Sequence, residues 1–471
     1  MAPLRRSTRL DREKMADPED QAASLVARLE NLPFSRWHRA LLLVGFFGIV
    51  LDAADFAIFG AALPLIRQEF GLSLAGAGLV GTIGLFGAFC GSLVWGSISD
   101  HIGRRAAFQA TIAILAAFTG LVALSWSVVA LVVLRFMANF GLGGEVPVSS
   151  TLVTEFMPSR WRGRAVVGMA AGFPLGLALA ALLGILIVPQ HGWRALYAVG
   201  VAPALLLLFF RRNVPESVRF LLAKGRIGEA ERTVARIEAQ ALARPLAPAP
   251  AAAAADIAPP AQGVTVLALF RDGRTRRTLL LWLVSICYLW ASNGILFMLP
   301  TILHDRGLPL SQAIGVTLVQ ACVGFFGYSA CGFLIDRFGR RPVLFLYFLI
   351  GAGFHLWFAL ATGWWMWLAI GAVGWVNPGV YGGAVVYAAE LYPTPMRATA
   401  VGWFFGIGRI GSFPAPYLIG LMLASGLGAY VLFTFAATYL VAAFALLAVG
   451  LETRGLALEQ ITGAPPLPGR A

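Results

Sequence analysis

Gly96-Ser-Ile-Ser-Asp100-His-Ile-Gly103-Arg104-Arg105 and Gly332-Phe-Leu-Ile-Asp336-Arg-Phe-Gly339-Arg340-Arg341 are one ten-residue pattern written twice, 236 positions apart. A second pair keeps nearly the same spacing: Glu155-Phe-Met-Pro158 followed by Arg162 returns as Glu390-Leu-Tyr-Pro393 followed by Arg397, 235 positions on. Leu63-Pro64 and Leu299-Pro300 make a third. Matches this regular mean that the chain is an internal duplication. Each copy of the ten-residue pattern is a short charged loop between long apolar runs.

Those runs set the solvent. The chain of 471 residues is 59% hydrophobic and 13% charged, with a mean hydropathy of +0.78; a soluble domain carries roughly 25% charged residues. Too little polar surface remains to face water, so lipid must bathe much of the chain. In lipid every backbone N–H and C=O must bond internally, which leaves helices or closed barrels. Barrel strands would alternate polar and apolar over about ten residues. The segments here are continuous apolar runs of about twenty, the length that crosses a hydrocarbon core of about 30 Å as a helix. The expectation is an all-α membrane protein with spans near 40–66, 75–99, 104–124, 127–153, 163–188, 193–212, 278–302, 312–335, 342–362, 364–389, 398–423 and 428–451.

The net charge of +13 and pI near 10.2 do not call for nucleic acid, because the positions of the basic residues explain them. Arg67, Arg194 and Arg306 fall in or beside one set of loops and only Arg135 and Arg409 inside spans away from their ends; the other 31 of the 36 Lys and Arg residues occupy the N-terminus, the alternate loops with the span ends beside them, and the tail. The positive-inside rule then puts both termini in the cytoplasm and requires an even number of spans. Trp364, Trp365 and Trp367 suit an outer interfacial belt. The first 38 residues are polar and Arg-rich, unlike a cleavable signal peptide. Cys90, Cys287, Cys322 and Cys331 all lie in apolar segments and read as small buried hydrophobes, with no metal framework. Expected units are a cytoplasmic segment 1–38, a six-helix bundle 39–212, a cytoplasmic segment 213–277, a second bundle 278–451 and a tail 452–471. Within 213–277, Glu216 to Ala241 reads as one amphipathic helix and 245–262 as an Ala/Pro-rich linker. Two parallel six-span repeats are an architecture of alternating-access transporters, with the substrate site between the halves near the bilayer midplane.

The G-x-x-x-D-x-x-G-R-R loops resemble the signature of the major facilitator superfamily, over nearly the whole chain. Glu155-x-x-Pro158-x-x-x-Arg162 and Pro215-Glu216-Ser217-Val218-Arg219-Phe220-Leu221 resemble its sugar-porter-like branch. Finer features resemble bacterial niacin-transporter-like and aromatic-acid:H⁺ symporters: Leu32-Pro33-Phe34-Ser35-Arg36-Trp37-His38, Asp52-Ala-Ala-Asp55, Gly143-Gly144-Glu145-Val146-Pro147 and Gly408-Arg409-Ile410-Gly411. Two positions depart from the pattern: His101 stands where the loop usually has Arg or Lys, and Ala53 where aromatic-acid carriers read D-G-x-D. The resemblance implies the major facilitator fold, a bacterial inner-membrane location and a gating role for the loop network of Gly96, Asp100, Gly103, Arg104, Arg105, Glu155 and Arg162 with Gly332, Asp336, Gly339, Arg340, Arg341, Glu390 and Arg397. In the superfamily such clusters latch the cytoplasmic side in the outward-open state.

The duplication also sorts the charges. Loop charges recur; charges inside spans do not. Asp52 and Asp55 correspond to Tyr288 and Ala291, Arg135 to Ile370, Glu145 to Val380 and Arg409 to Pro174. A charge at the bilayer centre costs at least about 2.5–3.5 kcal/mol on insertion scales, so each is kept for a reason. Asp52 and Asp55, three apart, share a helix face, and two carboxylates close together in low dielectric resist both being charged. Arg135 can pair with one of them; a first-span Asp and a fourth-span Arg form such a pair in proton-coupled sugar porters, which the resemblance carries to Asp55 and Arg135. Asp55 is thus a proton carrier or half of a static ion pair. Glu145, after a glycine-rich stretch, is a second titrating group or is bonded to a neighbouring span. Arg409 offers a planar fork to a carboxylate, pairs with an acidic residue, or sits at the interface. Asn293, Trp375, Asn377 and Tyr381 could give amides and ring faces to a flat substrate, though membrane aromatics commonly serve packing. His355 reads as a satisfied packing residue.

The leading function is proton-coupled symport of a small organic metabolite, an aromatic or heteroaromatic carboxylate such as nicotinate. Sugar uptake and drug efflux antiport are the alternatives on the same fold. An enzyme would need a nucleophile, metal cluster or cofactor motif, and the chain has no G-x-x-x-x-G-K-[ST] loop or G-x-S-x-G elbow. No cofactor or metal is expected, and the partners are the substrate, protons and the bilayer, with the protein monomeric.

Overall fold

The computed structural model describes residues 18–241, 266–305, 307–392 and 396–453; the 245–262 linker and the tail past Thr453 fall outside the described residues. Its helices are α1 (Pro18–Glu30), α2 (Arg36–Glu69), α3 (Leu74–Ile102), α4 (Arg104–Val122), α5 (Val128–Phe156), α6 (Ser159–Ala170), α7 (Gly172–Arg211), α8 (Val218–Ala223), α9 (Ile227–Ala241), α10 (Thr275–Asp305), α11 (Leu310–Phe338), α12 (Arg340–Leu360), α13 (Trp364–Glu390), α14 (Arg397–Ser412), α15 (Ala415–Ala424) and α16 (Val431–Val449). No strand occurs among the described residues. Eleven stretches are long and apolar enough to span, but one of them, Arg164–Arg211, has 48 residues, roughly 70 Å of helix against a core of about 30 Å. Gly192, at φ +75°, kinks α7 within that stretch and divides it into two crossings. The count is twelve. Span five is α6 with the first part of α7, and span eleven is α14 with α15.

These helices are apolar on every side. Phe326, Phe333, Phe444 and Leu205 are exposed, which only a lipid solvent tolerates at this density. Lipid gives no hydrophobic reward for helix association, so close packing must supply it. At the α3–α5 crossing a Cβ on Gly143 would lie 2.0 Å from the Ala88 carbonyl oxygen; at the matching α11–α13 crossing one on Gly327 would lie 1.8 Å from that of Trp375. Gly143→Val is therefore expected to cost about 3 kcal/mol or more, read as a lower melting midpoint of the detergent-purified protein.

The loop motifs fold alike. Gly103 and Gly339 share φ +103°, a region that a side chain disfavours, and each ends one span and starts the next. Arg104 pairs with Asp100 and, at 3.4 Å, with Glu155; Arg340 pairs with Asp336 at 3.3 Å and Glu390 at 3.0 Å. Glu216 accepts from the Arg105 N–H at 3.0 Å, and Glu452 from those of Arg340 and Arg341 at 2.9 and 3.0 Å. Carboxylates thus cap the N-termini of α4 and α12, where the helix dipole favours them. Glu216 and Glu452 are 236 apart, so the duplication extends to the capping carboxylates of these loops.

The basic face differs from expectation in three ways. The amphipathic segment is two helices, α8 and α9, broken at Lys224–Arg226, where Gly225 takes φ +70°. The polar N-terminal segment contains α1, whose Leu25 and Leu29 share a buried cluster with Val234 and Ile237 of α9, while Arg28 makes a two-point bond to Glu238 at 2.9 and 2.6 Å. Arg162, expected beside Glu155, pairs with Glu30 of α1, which also takes Arg219 at 2.9 Å. The side chain of Arg397 is outside the described residues.

The halves meet on the face opposite these loops. A Cβ on Gly60 would lie 3.0 Å from Leu296 O, and one on Gly78 would lie 2.1 Å from Pro416 O. Phe297 packs edge-on to Phe56 with centroids 5.4 Å apart, and Gln68 reaches His304 at 3.4 Å. Deeper, Phe413 abuts Phe86 and Phe89. On the basic face the two loops are open: Asp100 and Asp336 are 62% and 76% exposed, and Gly96 and Gly332 have open space before them.

Candidate functional site

The midspan charges gather around α2. Asp55 accepts from Arg135 Nη1 at 3.1 and 2.9 Å and from Thr119 of α4 at 3.3 Å. Arg135 and Asp55 are 2% and 3% exposed, and the guanidinium lies 4.7 Å from the centre of the Phe59 ring and 5.8 Å from that of Tyr197. Hydrogen bonds and ring faces together let a buried pair hold its charges. The expected Asp55–Arg135 contact is present.

Asp52 is different. It sits one turn nearer the basic face and is 6% exposed, yet its Oδ1 has no hydrogen-bond partner among the described residues. The charges bearing on it are Glu145, Arg409 and Asp55, and of these Arg409 comes from the other half. Arg409, on α14, keeps some accessible surface although protein surrounds it, and its field reaches Asp52 and Tyr381. It makes no side-chain hydrogen bond or ion pair among the described residues. A free guanidinium opposite an unsatisfied carboxylate, at the seam between two halves, is a site suited to an anion and a proton.

Glu145 is bound. Arg211, the last residue of α7, reaches both of its oxygens, one at 2.9 Å, and Thr111 donates at 3.1 Å. Arg211 is completely buried, so placing only Arg135 and Arg409 within the spans was wrong. Its position in Arg211-Arg212 at a basic span end made it look like a topology signal. The clue was available: a buried Glu145 without a repeat counterpart needs a cation on a neighbouring span.

The aromatic candidates divide. Tyr381 lies within reach of Arg409 and, from the other half, of Asp52, its ring 5.2 Å from Phe405 and 6.5 Å from Tyr288, and Asn293, half-buried, donates to Leu289 O at 3.3 Å. Trp375 stacks on Tyr347 of α12 at 5.1 Å, turned into its own bundle. The Asn377 side-chain oxygen is taken by the Tyr439 hydroxyl, and its backbone carbonyl by Tyr288 at 3.1 Å. His355 packs on Tyr439 with its Nδ1 at 2.7 Å from Gly351 O. Among the described residues no His, Cys, Asp and Glu group could hold a metal.

The family model of the Major Facilitator Superfamily matches residues 45–416 and 281–466. The chain belongs to this superfamily. It is 31% identical to the niacin transporter NiaP of Acinetobacter baylyi, over 93% of this chain and 99% of that protein. It is also 31% identical to the 4-hydroxybenzoate transporter PcaK of Pseudomonas aeruginosa, over 87% and 91%. The fold matches the xylose transporter XylE from E. coli in a partially occluded inward open conformation, with a TM-score of 0.73 and 19% identity over 90% of this chain and 100% of that one. The protein is therefore a multi-pass transporter of the major facilitator fold, and transporters rather than enzymes surround it.

Proposed function

We propose that the chain imports an aromatic or heteroaromatic carboxylate together with a proton across the bacterial inner membrane, working as a monomer with both termini cytoplasmic. The observation that carries this reading is that Arg409, a cation without a bonded partner, and Asp52, a carboxylate without a donor, lie within each other's electrostatic reach across the seam. The substrate carboxylate takes the Arg409 fork, Tyr381 and Phe405 flank its ring, and Asn293 borders the same space. Asp52, deprived of its opposing cation, then holds the proton, because a bare carboxylate beside Glu145 and Asp55 in low dielectric is costly. Loading the two together neutralises the site, and the neutral site can cross the occluded state that a lone charge resists. Asp55 and Arg135 stay paired as the fixed wall of this site. With the basic face cytoplasmic, the conformation described is inward-facing, and Asp100 and Asp336 close that face in the alternate state. The substrates after which the relatives are named, niacin and 4-hydroxybenzoate, are both rings bearing a carboxyl group.

Uptake into proteoliposomes tests it. Labelled nicotinate or 4-hydroxybenzoate should accumulate when an inward proton gradient is imposed and merely equilibrate without one, while xylose should do neither. Xylose accumulation with no flux of either acid would replace this reading with sugar symport.

A further inference from the structure

The duplication repeats the loop machinery down to its hydrogen bonds: Arg105 Nη2 donates to Arg212 O at 2.9 Å, and Arg341 Nη2 to Leu447 O at 2.7 Å. Directly beneath, the halves part. The first holds the Glu145–Arg211 pair against Gly48 of α2, where a Cβ would lie 2.2 Å from Glu145 Oε1 and 2.7 Å from Arg211 Nη2. The second has Val284, Val380 and Leu446 at the corresponding positions, all buried. The same fold thus closes the same volume with three aliphatic side chains. Well-packed apolar groups commonly match or exceed a buried ion pair in stability, so packing does not explain the charges.

Their position does. Gly48 and Asp52 are one turn apart on one face of α2, which sets the pair between Asp52 and the basic face. Glu145 bears on Asp52, and the charged and polar groups facing the pair are Asp52 from α2 and Thr111 from α4, while Arg409 reaches Asp52 from across the seam. Beyond Arg211, Gln109 donates to its carbonyl at 3.5 Å and the Arg105 contact leads to the loop. We infer that Glu145, held in place by Arg211, relays the proton from Asp52 to the cytoplasmic face, an inference resting on the proton-coupled reading above. The O–H bond of Asp52 breaks and one forms on Glu145; Glu145 then gives the proton to water at the basic face and returns to Arg211. Arg211 keeps its own protons and, while Glu145 is neutral, remains anchored on Phe108 O, which it already reaches. Arg211 is a positioning residue.

The test compares wild type with Glu145→Gln/Arg211→Gln and with Glu145→Val/Arg211→Leu, the second copying the other half. In monodisperse, reconstituted protein both variants should keep counterflow exchange of labelled nicotinate within about threefold of wild type, and lose gradient-driven accumulation at least tenfold. Accumulation at the wild-type ratio in either variant would overturn the relay and leave the symport reading intact; wild type that exchanges but never accumulates would overturn both. If neither variant purifies, wild type labelled with ¹³C-glutamate decides. An isotope-shifted carboxylic-acid infrared band that appears on adding nicotinate supports the relay, and its absence overturns it.

Discussion

Arg409→Gln should lower kcat/KM for nicotinate about 100-fold, with most of the change in KM. A two-point guanidinium–carboxylate contact is a pair of charge-assisted hydrogen bonds, each worth about 1.5–3 kcal/mol; the amide of Gln recovers part, leaving a loss of about 3 kcal/mol, or two decades. Arg409→Lys should fall between, since an ammonium restores the charge without the fork. The informative control is a neutral analogue, nicotinamide, as a competitor of labelled nicotinate. If Arg409 holds a carboxylate, the variant weakens competition by benzoate far more than competition by nicotinamide. Equal weakening of both would make Arg409 a structural partner of Asp52 and move the anion site elsewhere.

Asp55→Ala should be the most damaging single substitution to stability. It strands Arg135 at 2% exposure against the Phe59 and Tyr197 rings, and breaking a buried pair in this way costs about 3–5 kcal/mol. The expected result is poor recovery and a sharply lower melting midpoint in detergent. Asp55→Ala/Arg135→Ile should recover most of that midpoint, because the second half carries Ala291 and Ile370 at the same places and buries both. Transport should not recover with it, since the pair shapes the site in which Asp52 works. A double variant no more stable than Asp55→Ala would mean that the second half's apolar solution does not transfer.

The fold was legible because duplication and hydropathy report on the backbone. Loop motifs 236 residues apart fixed the halves, and continuous apolar runs fixed the spans. Asp55 with Arg135 was legible too: charges without a repeat mate singled out both, and the resemblance to sugar porters matched them to each other. What escaped depended on side-chain direction. Trp375 and Asn377 lie two residues apart in the same helix as Tyr381, yet they turn into the second bundle while Tyr381 lies within reach of Asp52 in the other half, and residue type cannot tell these apart. Arg211 escaped because its neighbour Arg212 and its place at a span end matched the charge rule for topology. Glu30 escaped because its partners Arg162 and Arg219 are brought to it only by the fold. The break at Gly225 was marked only by the glycine itself, which the helical composition on either side outweighed.

Proton movement in lightly buffered proteoliposomes bears most directly on the coupling of Asp52 to the Arg409 site. On adding nicotinate to wild type with no imposed gradient, the external medium should turn alkaline as substrate enters, and Asp52→Asn should abolish that signal while labelled nicotinate still exchanges. Nicotinate entry without alkalinisation in wild type, or full alkalinisation in Asp52→Asn, would contradict it.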